Sequence, residues 1–272
     1  MNKKQALSIG VVFTLLVTAK FIDFDRKQGH YSTKVEEGTP LASAQQNRTN
    51  PLANSPYFTS LHFANEYLPL GDVQIEEKMM SFLEDYSYQR VRSYHIHDKA
   101  IQSLPKVAEI LESYGIPQDF KYIPLIESGF SKNTTSHKGA SGYWQFMPAT
   151  AVAFGLTVNE EVDERQDLVK STHAAAKYIL SLYDEFENWT LVAAAYNVGG
   201  GSLRNTMQRQ EEDNSFKLKL NKETAAYVYR LISMKEIIEH PDQHGYVNER
   251  ALVASLLPRG EQRDGMPGIP GI

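Results

Sequence analysis

The eleven residues Phe120–Phe130, FKYIPLIESGF, set one carboxyl among large apolar side chains. Ile123, Leu125 and Ile126 lead into Glu127, and Phe130 follows after Ser128 and Gly129. The run is short and apolar enough to be a buried helix, with Glu127 at its end. A carboxyl in that position loses hydration, which disfavours its charged form and raises its pKa. An acid that must protonate a leaving oxygen near neutral pH needs such a shift. Taken alone, Glu127 reads more simply as a solvated or ion-paired helix-end residue, so the flanking sequence has to decide.

Outward from this stretch the pattern stays helical. On the N-terminal side, Asp72 to Tyr94 carries Ile75, Met79, Phe82, Leu83 and Tyr86 at three- and four-residue steps. Lys99 to Tyr114 follows with a stripe of Ile101, Leu104, Val107, Ile110 and Leu111. Pro105 lies inside that stripe, which predicts either a kink or a start nearer Ser103. Gly115 and Pro117 stop the helix. On the C-terminal side, Pro148 to Phe154 is a short helix, and Ser171 and Thr172 are candidate caps for one reaching Phe186. Thr190 is a candidate cap for WTLVAAAYN, and Glu223 to Glu239 is the last long helix. No stretch alternates as a strand over any length, and no internal repeat is present. The expectation is a mostly α fold with one core.

The two ends of the 272-residue chain read differently. Lys3 and Lys4 precede the apolar run Ala6 to Ala19, ALSIGVVFTLLVTA, within the roughly 7–15 residues of a secretory signal. It is shorter than the roughly 20 residues that span a bilayer. Residues 1–20 are therefore expected to be a signal peptide or membrane anchor, with cleavage after Ala19 one outcome. Residues 21–56 are expected to form a polar linker, and the Pro/Gly-rich residues 255–272 a disordered tail. Residues 57–98 are assigned to an N-terminal helical extension and 99–254 to the main domain.

Composition narrows the chemistry. A formal net charge of -5, without a dense Lys/Arg run, argues against nucleic acid. The absence of cysteine excludes disulfides, thiolate metal sites and a cysteine nucleophile. His95 and His97 point to different faces of a helix, with no carboxylate placed to complete a metal site. The glycines at 139, 142 and 199–201 lack the strand-then-helix setting of a nucleotide loop. No metal and no cofactor is expected.

Four motifs fall in order: IESGF at 126–130, SHKGASGYWQFMPATA at 136–151, AAAYNVGGG at 193–201 and ETAAYVYRL at 223–231. In sequence and spacing this set resembles the lytic transglycosylases, lysozyme-like enzymes of the bacterial cell wall. The lead-in YGIPQDFKYIPLIESGF and the intervening DERQDLVKSTHAAAKYILSLYDEF are most similar to the membrane-bound lytic transglycosylase D group. The resemblance covers about Asp72 to Ile237. It implies a lysozyme-like catalytic domain with preceding helices, and peptidoglycan glycan strands as the partner.

Carried across, the resemblance makes Glu127 the single catalytic acid and base. Ser136 becomes a serine that contacts substrate or polarises the attacking hydroxyl. Gln145 and Met147 become groove-lining positions, and Tyr196 and Asn197 the YN pair, with Tyr196 bonding near the catalytic carboxyl. Glu223 and Tyr227 help close the groove and orient Glu127. Plainer readings stand beside these: Gln145 and Asn197 satisfying loop backbone, Tyr196 and Tyr227 as core aromatics, Trp144 as sugar platform or core residue. Arg165 and Asp167 read as a helix-start ion pair.

The implied reaction cleaves the bond between N-acetylmuramic acid and N-acetylglucosamine, with C6-hydroxyl attack forming a 1,6-anhydro ring. A goose-lysozyme-like hydrolase and a non-catalytic peptidoglycan-binding protein are the rival readings. Export to the periplasm or cell envelope is expected, with a membrane tether if the N-terminus stays attached. The chain departs from the group in two ways: no wall-binding repeat is expected after about Ala254, and Tyr143 stands where an aliphatic residue is usual.

Overall fold

Residues 56–69 and 71–246 are described by the structure, a computed structural model. The expected N-terminal signal or anchor, the linker and the Pro/Gly-rich tail lie outside these residues. The chain begins with α1 (Pro56–Ser60) and a hairpin of β1 (His62–Phe63) and β2 (Glu66–Tyr67). Next come α2 (Val73–Tyr86), α3 (Tyr88–Val91) and α4 (His95–Ser113). A 3-10 turn, Gln118–Tyr122, feeds α5 (Ile123–Ser128), and a long loop reaches α6 (Pro148–Ala153). After a second 3-10 turn, Glu164–Gln166, the chain runs through α7 (Leu168–Phe186), α8 (Trp189–Val198), α9 (Gly200–Gln210) and α10 (Thr224–Glu239). The fold is mostly helical, as the periodicity predicts.

Several local expectations are corrected. The hairpin was not visible as alternation because each strand has two residues, paired antiparallel across Ala64 and Asn65. Both turn residues have positive φ, 52° and 63°, the geometry of the tight hairpin turn that matches strand twist. The helix from Asp72 ends at Tyr86, because Ser87 is extended (ψ 155°), and only one further turn forms before Arg92 becomes left-handed. Pro105 sits well inside α4, which starts at His95. Ile101, whose carbonyl the proline deprives of its helical donor, is 75 % exposed, so water can serve that carbonyl; Ala100 takes the buried position instead. The caps also shift. Asp167 accepts from Lys170 N to start α7, while the Ser171 and Thr172 hydroxyls donate back to the carbonyls of Asp167 and Leu168.

At the centre lies α8, buried from Thr190 through Ala195, and a helix apolar on all sides must be enclosed on all sides. It packs against α7, α9 and α10, and its run of alanines lets those helices approach closely. Opening this helix next to the core leaves its first N–H groups to be satisfied. Asn188 Oδ1 accepts from Leu191 N at 2.8 Å. The other two are met from outside: Glu66 on β2 accepts from Trp189 N at 2.6 Å and from Thr190 N at 2.9 Å. Thr190, expected as the cap, instead donates its hydroxyl to Asn188 Oδ1.

The same hairpin is tied to the other end of the site. Ala64 N donates to Asp119 Oδ2 at 2.7 Å, and Lys235 of α10 pairs with that oxygen at 2.8 Å. Asp119 lies in the 3-10 turn immediately before α5, so hairpin, α5, α8 and α10 are one mechanical unit. Removing the Glu66 carboxylate strands two N–H groups and an oriented helix dipole. Glu66→Ala is expected to lower the unfolding free energy by about 1–2 kcal/mol, read as a lower urea midpoint at unchanged slope.

Candidate active site

Helix α5 has only six residues, and all six are buried. Pro124 starts it without loss, since a first-turn N–H has no helical partner. Gly129, at φ 58°, turns the chain left-handed and ends it, with Gly129 N donating to Leu125 O and Phe130 N to Pro124 O. Phe130 is left-handed too, at φ 54°, an unusual state for a bulky residue that swings the chain sharply away from Glu127.

Glu127 is therefore fixed at the carbonyl end of a short buried helix, 5 % exposed. The Tyr227 hydroxyl donates to Glu127 Oε1 at 2.7 Å. Burial pushes the carboxyl pKa up to about 8, and the charge of Glu223 pushes the same way. The Tyr227 hydrogen bond and the charge of Arg230 pull it down, without overcoming burial. The negative end of the α5 dipole also favours the protonated form. Glu127 thus holds its proton at neutral pH, as a general acid must.

Helix α10 and its N-cap residue Glu223 supply two of the sequence-predicted residues. Asn221 Oδ1 accepts from Glu223 N and Thr224 N and so caps the helix. One turn on, Tyr227 is fully buried with its hydroxyl on the Glu127 carboxyl, so this core aromatic also touches the candidate acid. Asn197 of α8 donates to Glu223 Oε1 over a long 3.5 Å and accepts the Thr224 hydroxyl at 2.8 Å. Asn197 therefore joins the two helices beside the site, rather than serving only loop backbone.

Tyr196 bonds the loop that leads to α6. Its hydroxyl donates to the Trp144 carbonyl at 2.9 Å, not to Glu127, although the charge of Glu127 helps to hold the phenol well above its usual range after burial. Trp144 is fully buried and donates its indole N–H to Thr172 Oγ1 at 3.0 Å, which makes it a core residue and not a sugar platform.

The loop from Ser131 to Met147 is held by its own polar groups. The Ser136 hydroxyl accepts from Ala140 N at 3.0 Å. Gln145 donates to the carbonyls of Thr134 and Gly142, each at 2.9 Å, in a left-handed backbone state at φ 49°. Its amide therefore fastens the loop. Met147, half-buried, stands directly before α6. At Gly142 a side chain is impossible: φ is 78° and a Cβ would sit 1.9 Å from the Arg165 carbonyl oxygen.

Three residues that sequence reading missed or misassigned complete the frame. Ser128 donates its hydroxyl to Tyr143 O at 2.9 Å, joining α5 to the loop. Arg165 was expected to pair with Asp167; it pairs with Asp163 instead, at 2.7 Å, and donates to the carbonyls of Gly139 and Phe146. Arg230 lies one turn beyond Tyr227, and its charge acts on Glu127. Among the described residues no group of three His, Asp or Glu is arranged to hold a metal.

The raised pKa of Glu127 has a stability consequence with a definite sign. A carboxyl protonated in the folded state and ionised in the unfolded one favours folding less as pH climbs from its unfolded value through its folded value. Glu127→Gln, which cannot ionise, should match wild type in stability at about pH 4 and exceed it increasingly towards about pH 8, by urea unfolding at each pH.

Residues 107–219 match the model of the family described as Transglycosylase SLT domain. The membrane-bound lytic murein transglycosylase D of Escherichia coli (strain K12) is 28 % identical over 186 residues, covering 65 % of this chain and 39 % of that protein. A protein of Alteromonas sp. (strain M-1), named for tributyltin chloride resistance, is 38 % identical over 94 residues, covering 34 % of this chain and 45 % of its own length. The chain thus spans less than half the length of these curated relatives. Among solved structures, the 70 kDa soluble lytic transglycosylase of Escherichia coli overlays 62 % of this chain and 30 % of that one, at TM-score 0.46 and 19 % identity. Glu127 and its loop lie inside the matched family span, Tyr227 and Glu223 just beyond it, and residues 107–219 of this chain belong to the transglycosylase SLT domain family.

Proposed function

We propose that this chain is a lytic transglycosylase that cleaves the N-acetylmuramic acid–β-1,4–N-acetylglucosamine bond of peptidoglycan without consuming water. The observation that carries the proposal is the buried Glu127 carboxyl, protonated near neutral pH and bonded to Tyr227. In the first half of the cycle it gives its proton to the glycosidic oxygen as the C1–O bond breaks. The N-acetyl group of the muramyl sugar can stabilise the positive charge that develops, which removes the need for a second protein carboxylate as nucleophile. In the second half, Glu127 as carboxylate takes the proton of the C6 hydroxyl while its oxygen bonds to C1, closing the 1,6-anhydro ring. The attacking hydroxyl is tethered to the reacting sugar, which gives it a large effective concentration.

Ser136, Gln145, Met147, Tyr196 and Asn197 are proposed to line or shape the saccharide groove, Gln145 and Tyr196 acting through the loop backbone they hold. Glu223 and Tyr227 are proposed to orient the acid. The substrate and the apolar N-terminal run together support export to the periplasm or cell envelope, and the name of the Escherichia coli relative makes a membrane tether the natural proposal. Residues 57–98 are proposed as an extension packed on a catalytic domain of residues 99–254.

Sacculi digested with the protein are expected to release muropeptides one water lighter than hydrolysed ones, seen by mass spectrometry. Glu127→Gln should lower release at least about a thousandfold, since the general acid and base is lost in both steps, with the circular dichroism spectrum unchanged. Products carrying the extra water would establish a hydrolase of the goose-lysozyme kind. No release from sacculi by wild type, with the protein retained on them in a pull-down, would favour the wall-binding reading.

A further inference from the structure

Arg165 is buried and Arg230 half-buried, and the two are bonded in contrasting ways. Arg165 is saturated: two bonds to Asp163 and one each to the carbonyls of Gly139 and Phe146. Arg230 has a buried Nη1 with no hydrogen-bond partner among the described residues. A buried guanidinium nitrogen left unbonded carries a desolvation cost, so packing and fold stability do not account for a cation at this position.

Its placement on α10 does. Glu223, Tyr227 and Arg230 are spaced by four and three residues, the separations that bring helical side chains onto one stripe. The Tyr227 hydroxyl, in the middle of the stripe, bonds Glu127. A negative group therefore stands one turn to one side of the catalytic carboxyl and a positive group one turn to the other. The further titratable neighbours are neutral phenols, Tyr196 on α8 beside Glu127 and Tyr86 on α2 beside Arg230.

The proposed cycle makes Glu127 an anion once it has protonated the leaving oxygen. That anion would form in a dry site, at the negative end of α5 and close to Glu223. Without a nearby cation it would be too unstable to wait for the C6 hydroxyl. We propose that Arg230 is a positioning residue for Glu127, supplying from the next turn of α10 the positive charge against which the catalytic carboxylate forms. The inference rests on the transglycosylase reading for its place in the cycle, but the electrostatic arrangement can be tested without it. The charge of Arg230 is already felt by Glu127 in the resting protein and acts to lower its pKa.

The test measures the Glu127 carboxyl directly, by carbon-13 NMR titration of wild type, Arg230→Gln, Arg230→Met and Arg230→Lys. Loss of the charge in the Gln and Met variants should raise the titration midpoint by about one pH unit, and the Lys variant should bring it most of the way back. Activity on sacculi follows: the alkaline limb of the pH profile should move up by the same amount in the neutral variants, with a lower maximal kcat and little change in KM. The two neutral variants differ in polarity, so a failure of one to fold leaves the other. An unmoved midpoint in a folded neutral variant, or a Lys variant that behaves like Gln, would overturn the proposal and leave Arg230 a structural residue. If wild type shows no cleavage of sacculi while the midpoint still moves, the transglycosylase reading fails and the electrostatic one stands.

Discussion

Keeping one carboxyl out of water is the constraint on which the rest of the molecule depends. Glu127 can hold a proton at neutral pH only where solvent cannot stabilise its charge, and such a place must be enclosed from several directions at once. Helix α5 is too short to enclose anything alone. It is covered by α10, which contributes Tyr227, and its end is secured to the loop through the Ser128 hydroxyl and the Tyr143 carbonyl. A single hydrogen bond at 2.7 Å from Tyr227 fixes which way the carboxyl points. That bond favours the ionised form without cancelling the effect of burial, and the pKa stays raised to about 8.

Around this group the polar side chains divide their labour by distance. Those nearest, Tyr227, Glu223 and Arg230, act on the charge of Glu127. The next set holds backbone: Gln145 and Ser136 close the loop on itself, Arg165 gathers two of its carbonyls, and Tyr196 takes the Trp144 carbonyl. A loop fastened by its own side chains keeps one shape, the kind of fixed surface that preorganisation requires.

Much of this was legible in the sequence, and the failures have physical causes. The apolar run ending in a carboxyl gave away both the burial of Glu127 and its raised pKa. Periodicity found the long helices because each buries one stripe. It misplaced their ends, since Ser171, Thr172 and Thr190 look like caps while Asp167 and Asn188 hold the cap positions. Arg165 has an aspartate two residues away on either side, and only the fold distinguishes Asp163 from Asp167. The motif placed the Tyr196 bond near the Glu127 carboxyl, but its acceptor, the Trp144 carbonyl of a neighbouring loop, is visible only in three dimensions. The hairpin escaped because two-residue strands have no period. Arg230 escaped because a cation on a helix face ordinarily reads as a solvated one.

The hairpin also lies outside the family signature while holding parts of it in place. Residues 107–219 carry the family signature, yet the first N–H groups of α8 are closed by Glu66 and the turn before α5 is held through Ala64. At the other end, Tyr246 hydrogen-bonds back to Tyr86. A recombination joint at residue 107 would sever all three ties and expose the ring of Phe120, which packs edge-on against Phe63. The packed unit is therefore wider than its signature, reaching at least from Ala64 to Tyr246.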